Sequence, residues 1–73
     1  MTLPDHLSRS VIVSVVNEWV VGQNAERDRA ILIRRLADGI TFDRLAEEFD
    51  LSVRHTKEIV YKRERKIFQH FPG

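Results

Sequence analysis

The sequence predicts an all-α fold, a small domain of four helices over about residues 5–21, 25–38, 42–49 and 53–69. Two observations carry that expectation. Apolar residues recur at three- and four-residue spacing through each segment, the period of a helix that buries one face. The breaks between segments also carry helix-ending and helix-starting residues. Gly22 and Gly39 each close an apolar-periodic stretch, and Asn24, Thr41 and Ser52 each precede one. At 73 residues, without repeats, low-complexity stretches or a linker, residues 1–73 are expected to form a single domain. A chain of this size buries only ~60% of its unfolded surface, so the fold is expected to be marginal or to lean on a partner.

The first helix is the least obvious. Its centre, "SVIVSVV", is rich in β-branched residues, which favour a strand by propensity. Spacing decides for a helix: Ile12, Val15, Val16, Trp19 and Val20 fall at i, i+3, i+4, i+7 and i+8. Pro4 suits a first helical turn. Val13 and Val21 widen the apolar stripe, which points to cover on more than one side. The helix is expected to stabilise the domain or to dimerise it, a second copy of the chain then meeting Ile12, Val16, Trp19 and Val20.

In the second helix Asn24 is the expected N-cap, and Glu26 and Asp28 sit where the helix dipole favours acids. Ile33, Leu36 and Ala37 form the expected inward stripe, extended by Ile31 or Leu32, with Arg34 and Arg35 outside. The third helix opens on Thr41 as N-cap. Ile40 and Leu45 stand at the spacing of a hydrophobic staple, and Leu45, Ala46 and Phe49 face inward. Ser52 caps the fourth helix, whose stripe is Thr56, Ile59, Val60 and Ile67, with Pro72 beyond its end. Arg63 falls on the inward side of this wheel. It is expected to snorkel, or to mark where the helix leaves the core.

The net charge of +1 hides an asymmetry. Residues 51–73 hold six Lys or Arg and two acids, net +4, whereas residues 1–50 hold six and nine, net −3. A basic last element is an electrostatic footprint for nucleic acid, and equally an ordinary solvated face. The chain has no cysteine, which excludes a disulfide framework and a thiolate metal site and fits a cytoplasmic protein. No basic start leads into an apolar core, so no signal peptide is expected. No apolar run approaches the ~20 residues that cross a bilayer.

His6, His55 and His70 are far apart and predict no metal site. Asp43, Glu47, Glu48 and Asp50 share the third helix and read as a solvated or partner-binding acidic face. There is no Gly-rich phosphate loop, nucleophile elbow or Walker pattern. The expectation is therefore a non-enzyme with no catalytic residues and no cofactor.

The strongest signal is local. In "ITFDRLAEEFDLSVRHTKEIV" two short helices are separated by roughly three residues, which forces a steep crossing. Ala46 is the small residue where such helices approach, and Leu51 is an apolar plug between them. "LADGITFDRLAEEFDLSVRHTKEIV" resembles the helix-turn-helix of bacterial sigma factor region four and is similar to the C-terminal DNA-binding domain of LuxR-type regulators. The resemblance covers about residues 27–68. The shared pattern is acid-Gly, then apolar-Ser/Thr, Ala, an apolar residue three later, and apolar-Ser opening the last helix. Two positions depart from it. Asp50 stands where Gly is common, and Thr56 stands where Val or Ile is expected.

The resemblance implies a bacterial or phage transcription regulator whose last helix enters the major groove of double-stranded DNA. It implies base-facing places for Val53, Arg54 and Glu58, with Lys57 beside the phosphates. A helical wheel drawn without it puts Arg54, Glu58, Tyr61 and Arg65 outward, flanked by His55 and Lys62. Arg54 suits guanine, Glu58 suits cytosine and Val53 suits a thymine methyl. Lys57, Lys62 and Arg65 supply sequence-independent affinity, and Thr41 and Ser52, at two helix starts, suit phosphates. The same residues also make i, i+4 pairs, Arg54–Glu58 and Glu58–Lys62, that stabilise a solvated helix without DNA. The alternative function is a protein-interaction module. Region four of sigma factors also contacts RNA polymerase, so a stand-alone copy that binds polymerase or another protein and reads no DNA stays open.

Overall fold

A computed structural model describes residues 8–71. It holds α1 (Arg9–Trp19), α2 (Ala25–Leu36), α3 (Phe42–Phe49) and α4 (Val53–Ile67), closed by a 3₁₀ turn, Phe68–His70. The fold is all-α with four helices, as the periodicity predicts, and no strand occurs among the described residues.

The β-branched centre of α1 is helical because its stripe has a core to enter. Ile12, Val15, Val16 and Val20 pack with Ile31 and Leu32 of α2, Leu45 of α3, and Ile59, Val60 and Ile67 of α4. This corrects the expected dimer face. Ile12, Val16 and Val20 are buried within their own chain, the latter two completely. Only Trp19 stays on the surface, 45% exposed, with its ring lying parallel to the His70 imidazole at 3.7 Å. α2, α3 and α4 cover the central line Ile12, Val15, Val16 and Val20; of the two valines that widen the stripe, Val13 is half-buried and Val21 is 56% exposed.

Helix ends follow their caps. Ser8 is extended (φ −77°, ψ 158°) and its hydroxyl accepts from the Val11 amide, so α1 starts at Arg9. The expected start near residue 5 lies outside the described residues. α1, α2 and α4 each end two residues before the expected positions 21, 38 and 69. In α1 the residue after Trp19, Val20, is already extended (φ −88°, ψ 99°), and Gly22 (φ +92°) and Gly39 (φ +68°) turn left-handed three residues after the last helical residue. Asn24 precedes α2 as expected, but in a left-handed conformation (φ 62°) and with no side-chain cap bond.

The buried face of α2 is also rotated from expectation. Ala25, Asp28, Ile31 and Leu32 are buried, while Ile33, Leu36 and Ala37 are only half-buried at the core's edge. Asp28, 5% exposed, occupies the centre of the inward stripe. A carboxylate there hides the stripe from any apolar count. Arg63 explains it: instead of snorkelling, it donates from Nε to Asp28 Oδ2 at 2.9 Å.

The junction of α3 and α4 is made locally. Asp50 is left-handed (φ 54°, ψ 48°), and its amide donates to the carbonyls of Ala46 and Glu47. The Leu51 amide donates to Ala46 O at 2.9 Å. Together these bonds make a Schellman turn, with Asp in the place glycine usually takes. Thr41 and Ser52 cap as expected, accepting from the amides of Arg44 (3.3 Å) and His55 (3.0 Å). Thr56 is completely buried, and its hydroxyl donates to Ser52 O at 2.8 Å. The polar substitution on the apolar stripe is thereby satisfied.

Candidate nucleic-acid interface

α4 is amphipathic, and that fixes what it presents. Thr56, Ile59, Val60 and Ile67 anchor one side, so Arg54, Glu58, Tyr61 and Arg65 line up on the other. All four are exposed, and His55, Lys57, Lys62 and Lys66 flank them, also exposed. Val53, at the first helical position, is half-buried. Thr41 and Ser52 lie at the exposed starts of α3 and α4, each with its oxygen engaged in a cap and its hydroxyl hydrogen still free to be donated. All ten candidate residues thus belong to α4 or to the two helix starts beside it.

The charges divide into committed and uncommitted groups. Arg54 Nε lies 3.4 Å from Glu58 Oε1, an i, i+4 pair with side chains 91% and 63% exposed. Water screens it strongly, and a pair this exposed is worth little and opens readily. Arg63, 14% exposed at its side chain, is committed to Asp28 and to the carbonyls of Val21 (2.9 Å) and Gln23 (3.1 Å). Lys57, Lys62, Arg65 and Lys66 have no carboxylate partner among the described residues.

On the side of α4 facing α3, cations gather round one ring. Arg35 lies 4.2 Å and Lys57 5.7 Å from the Phe42 ring centre, and Tyr61 meets the ring edge-on at 5.7 Å. Arg35 also donates to Ile40 O at 3.0 Å. On its helical wheel Arg35 is an outside residue with no partner in the local sequence. Its position depends on Phe42, which only the α2–α3 turn brings beneath it. Burial raises the Glu64 carboxyl above its ordinary range, with Arg35 pulling the other way.

On the opposite flank lies a polar cleft of about 300 Å3, lined by His55, Glu58 and Lys62 of α4 and by Gln23, Asn24 and Arg27 at the start of α2. Nothing in the local sequence of residues 23–27 points to it. The cleft exists because Arg63 ties the turn before α2 against α4.

The acidic helix divides too. Glu48 is bound by Arg34, whose Nε reaches Oε2 at 3.1 Å, and this bond holds its carboxyl below the ordinary range. Arg34 and Arg9 both reach Asp38, at 3.7 Å and 3.1 Å. Asp43, Glu47 and Asp50 remain exposed and form no ion pair among the described residues. His55 and His70 join no group of three or more ligand-type side chains placed to hold a metal among the described residues, where His6 is not included. No helix among these residues is long and apolar enough to cross a membrane.

No protein-family model matches this chain, and no curated protein or solved structure matches it either.

Proposed function

We propose that this chain is a DNA-binding transcription regulator that docks as a helix-turn-helix, with α4 in the major groove of double-stranded DNA. The observation that carries the reading is the state of the cations on α4. The inward one, Arg63, is neutralised by Asp28, while Lys57, Lys62 and Lys66 flank the outward line Arg54, Glu58, Tyr61 and Arg65, exposed and, like Arg65, without a carboxylate partner among the described residues. Phosphate neutralisation by such groups supplies affinity, and base edges meet the outward line. The major groove, ~12 Å wide, admits one helix. Arg54 leaves its exposed partner Glu58 for guanine, and Glu58 is then free to accept from cytosine. Thr41 and Ser52 add hydroxyl donors toward phosphate. The role places the protein in the cytoplasm.

A lone helix makes few base contacts, so specificity calls for two half-sites ~34 Å apart. The domain's longest extent, 32 Å, is on the scale of that spacing. Any contact between the copies would have to be made by residues other than the buried Ile12, Val16 and Val20, with Trp19 still available.

The test is binding to a random duplex pool across a salt series, followed by sequencing of what is retained. A steep fall of affinity with salt and an enriched sequence are expected. Arg54→Ala is expected to relax preference at one base pair by roughly 1–3 kcal/mol. Undetectable binding to every duplex at low salt overturns the reading. A cellular phenotype that survives joint Arg54→Ala and Lys57→Ala replacement transfers it to protein binding, with RNA polymerase the first partner to try.

A further inference from the structure

The reading above uses the outward line of α4 and the lysines that flank it. It leaves the rest of the cleft beside Lys62, at the start of α2, without a role. Two elements distant in sequence supply the donors there. Gln23, Asn24 and Arg27 come from the α1–α2 turn and the first turn of α2, and His55, Lys62 and Arg63 come from α4. Of the two acids at the cleft, Asp28 holds Arg63 and Arg27, and Glu58, paired with Arg54 in the free chain, turns to cytosine in the reading above. Arg27 reaches Asp28 Oδ1 through Nε and Nη2, both at 3.1 Å, which leaves Nη1 without a partner among the described residues. Lys62 has no carboxylate partner there either. Three fixed cations (Arg27, Lys62 and Arg63) against two carboxylates (Asp28 and Glu58) leave the cleft at net +1, with N–H donors in excess.

A helix in the major groove has a sugar–phosphate backbone on each side. Lys57 and the start of α3 serve one side of α4. The cleft opens on the other, because His55 and Lys62 lie on the flank opposite Lys57. We infer that this cleft is a second DNA-backbone site, which takes a phosphodiester of the far strand through Lys62, Arg27 and the polar groups of Gln23, Asn24 and His55. The inference rests on the DNA-binding reading and extends the footprint to the start of α2. Arg63 donates nothing to the DNA. It holds the turn and α4 together so that the other donors converge.

Salt titrations of the full chain on a duplex enriched from the pool test it. Lys62→Ala and Arg27→Ala are each expected to weaken binding several-fold, equally on enriched and scrambled duplexes. Each makes the log–log salt slope shallower by about 1, the signature of a lost phosphate contact. Arg54→Ala instead narrows the difference between duplexes. If the wild-type chain binds and Arg27→Ala leaves the slope unchanged, the cleft assignment fails and the DNA reading stands, whatever Lys62→Ala does. If the wild-type chain binds no duplex, both fail. Amide resonances of Gln23, Asn24 and Arg27 in the wild-type chain give a check that needs no variant to fold. Shifts on adding duplex support the site, and their absence overturns it. Shifts with inorganic phosphate but none with duplex reassign the cleft to a free anion and also overturn it.

Discussion

The two turns that meet α4 are held in opposite ways. Residues 50–52 are held by their neighbours. The amides of Asp50 and Leu51 close on Ala46 and Glu47, and Ser52 caps the helix that follows. Residues 20–24 are held from a distance. Arg63, some forty positions on, takes the carbonyls of Val21 and Gln23, and Arg29 takes that of Val20 at 2.6 Å. The first turn is a property of its own segment, and the second exists only once α4 has docked. A local turn needs only its own segment. A distant tie reports that closure has happened, and here it also shapes the cleft beside α4.

Substitutions separate the two modes. The largest effect is expected at the distant tie. Asp28→Ala leaves Arg63 buried without its carboxylate and should cost roughly 3–5 kcal/mol, a large part of the stability of a domain this small. Urea unfolding measures it. The pair Asp28→Leu with Arg63→Met should recover much of that loss, because the penalty belongs to the orphaned charge. If Asp28→Ala costs under about 1 kcal/mol, the turn is not held from a distance. Next comes the local cap. Ser52→Ala should cost about 1 kcal/mol, read from the same unfolding curves. A cost as large as that of Asp28→Ala would erase the contrast. The smallest effect has the opposite sign. Asp50→Gly relieves a left-handed conformation but frees the unfolded chain, so a net gain below about 1 kcal/mol is expected, a few degrees in melting temperature. A loss on this substitution would mean that the Asp50 side chain itself supports the turn.

Legibility follows the same division. The α3–α4 unit is readable nearly residue by residue: both caps, the Leu51 position and the outward line of α4 follow from short-range spacing, while Asp50 stands out only as a departure from the glycine common at that turn. The stripe of α1 was readable as well, but what covers it was not. Periodicity says that a face is buried and is silent on whether the same chain or another buries it. The face of α2 was misplaced because its central residue is a carboxylate, and Arg63 looked like a helix-end residue because its partner lies 35 positions away. Arg27 and the cleft left no local trace.

The amino-acid sequence alone determined the helical class, the breaks between helices, and which side of α4 turns outward. Spacing and capping are short-range and act within a turn or two of helix. Only the tertiary structure decided that α1 is covered by α2 and α4, that Asp28 and Arg63 neutralise one another inside the fold, and that residues 23–27 stand beside the exposed face of α4. Those facts depend on contacts between segments far apart in the chain. An ion pair at low exposure is stable only when packing has already brought both charges out of water together.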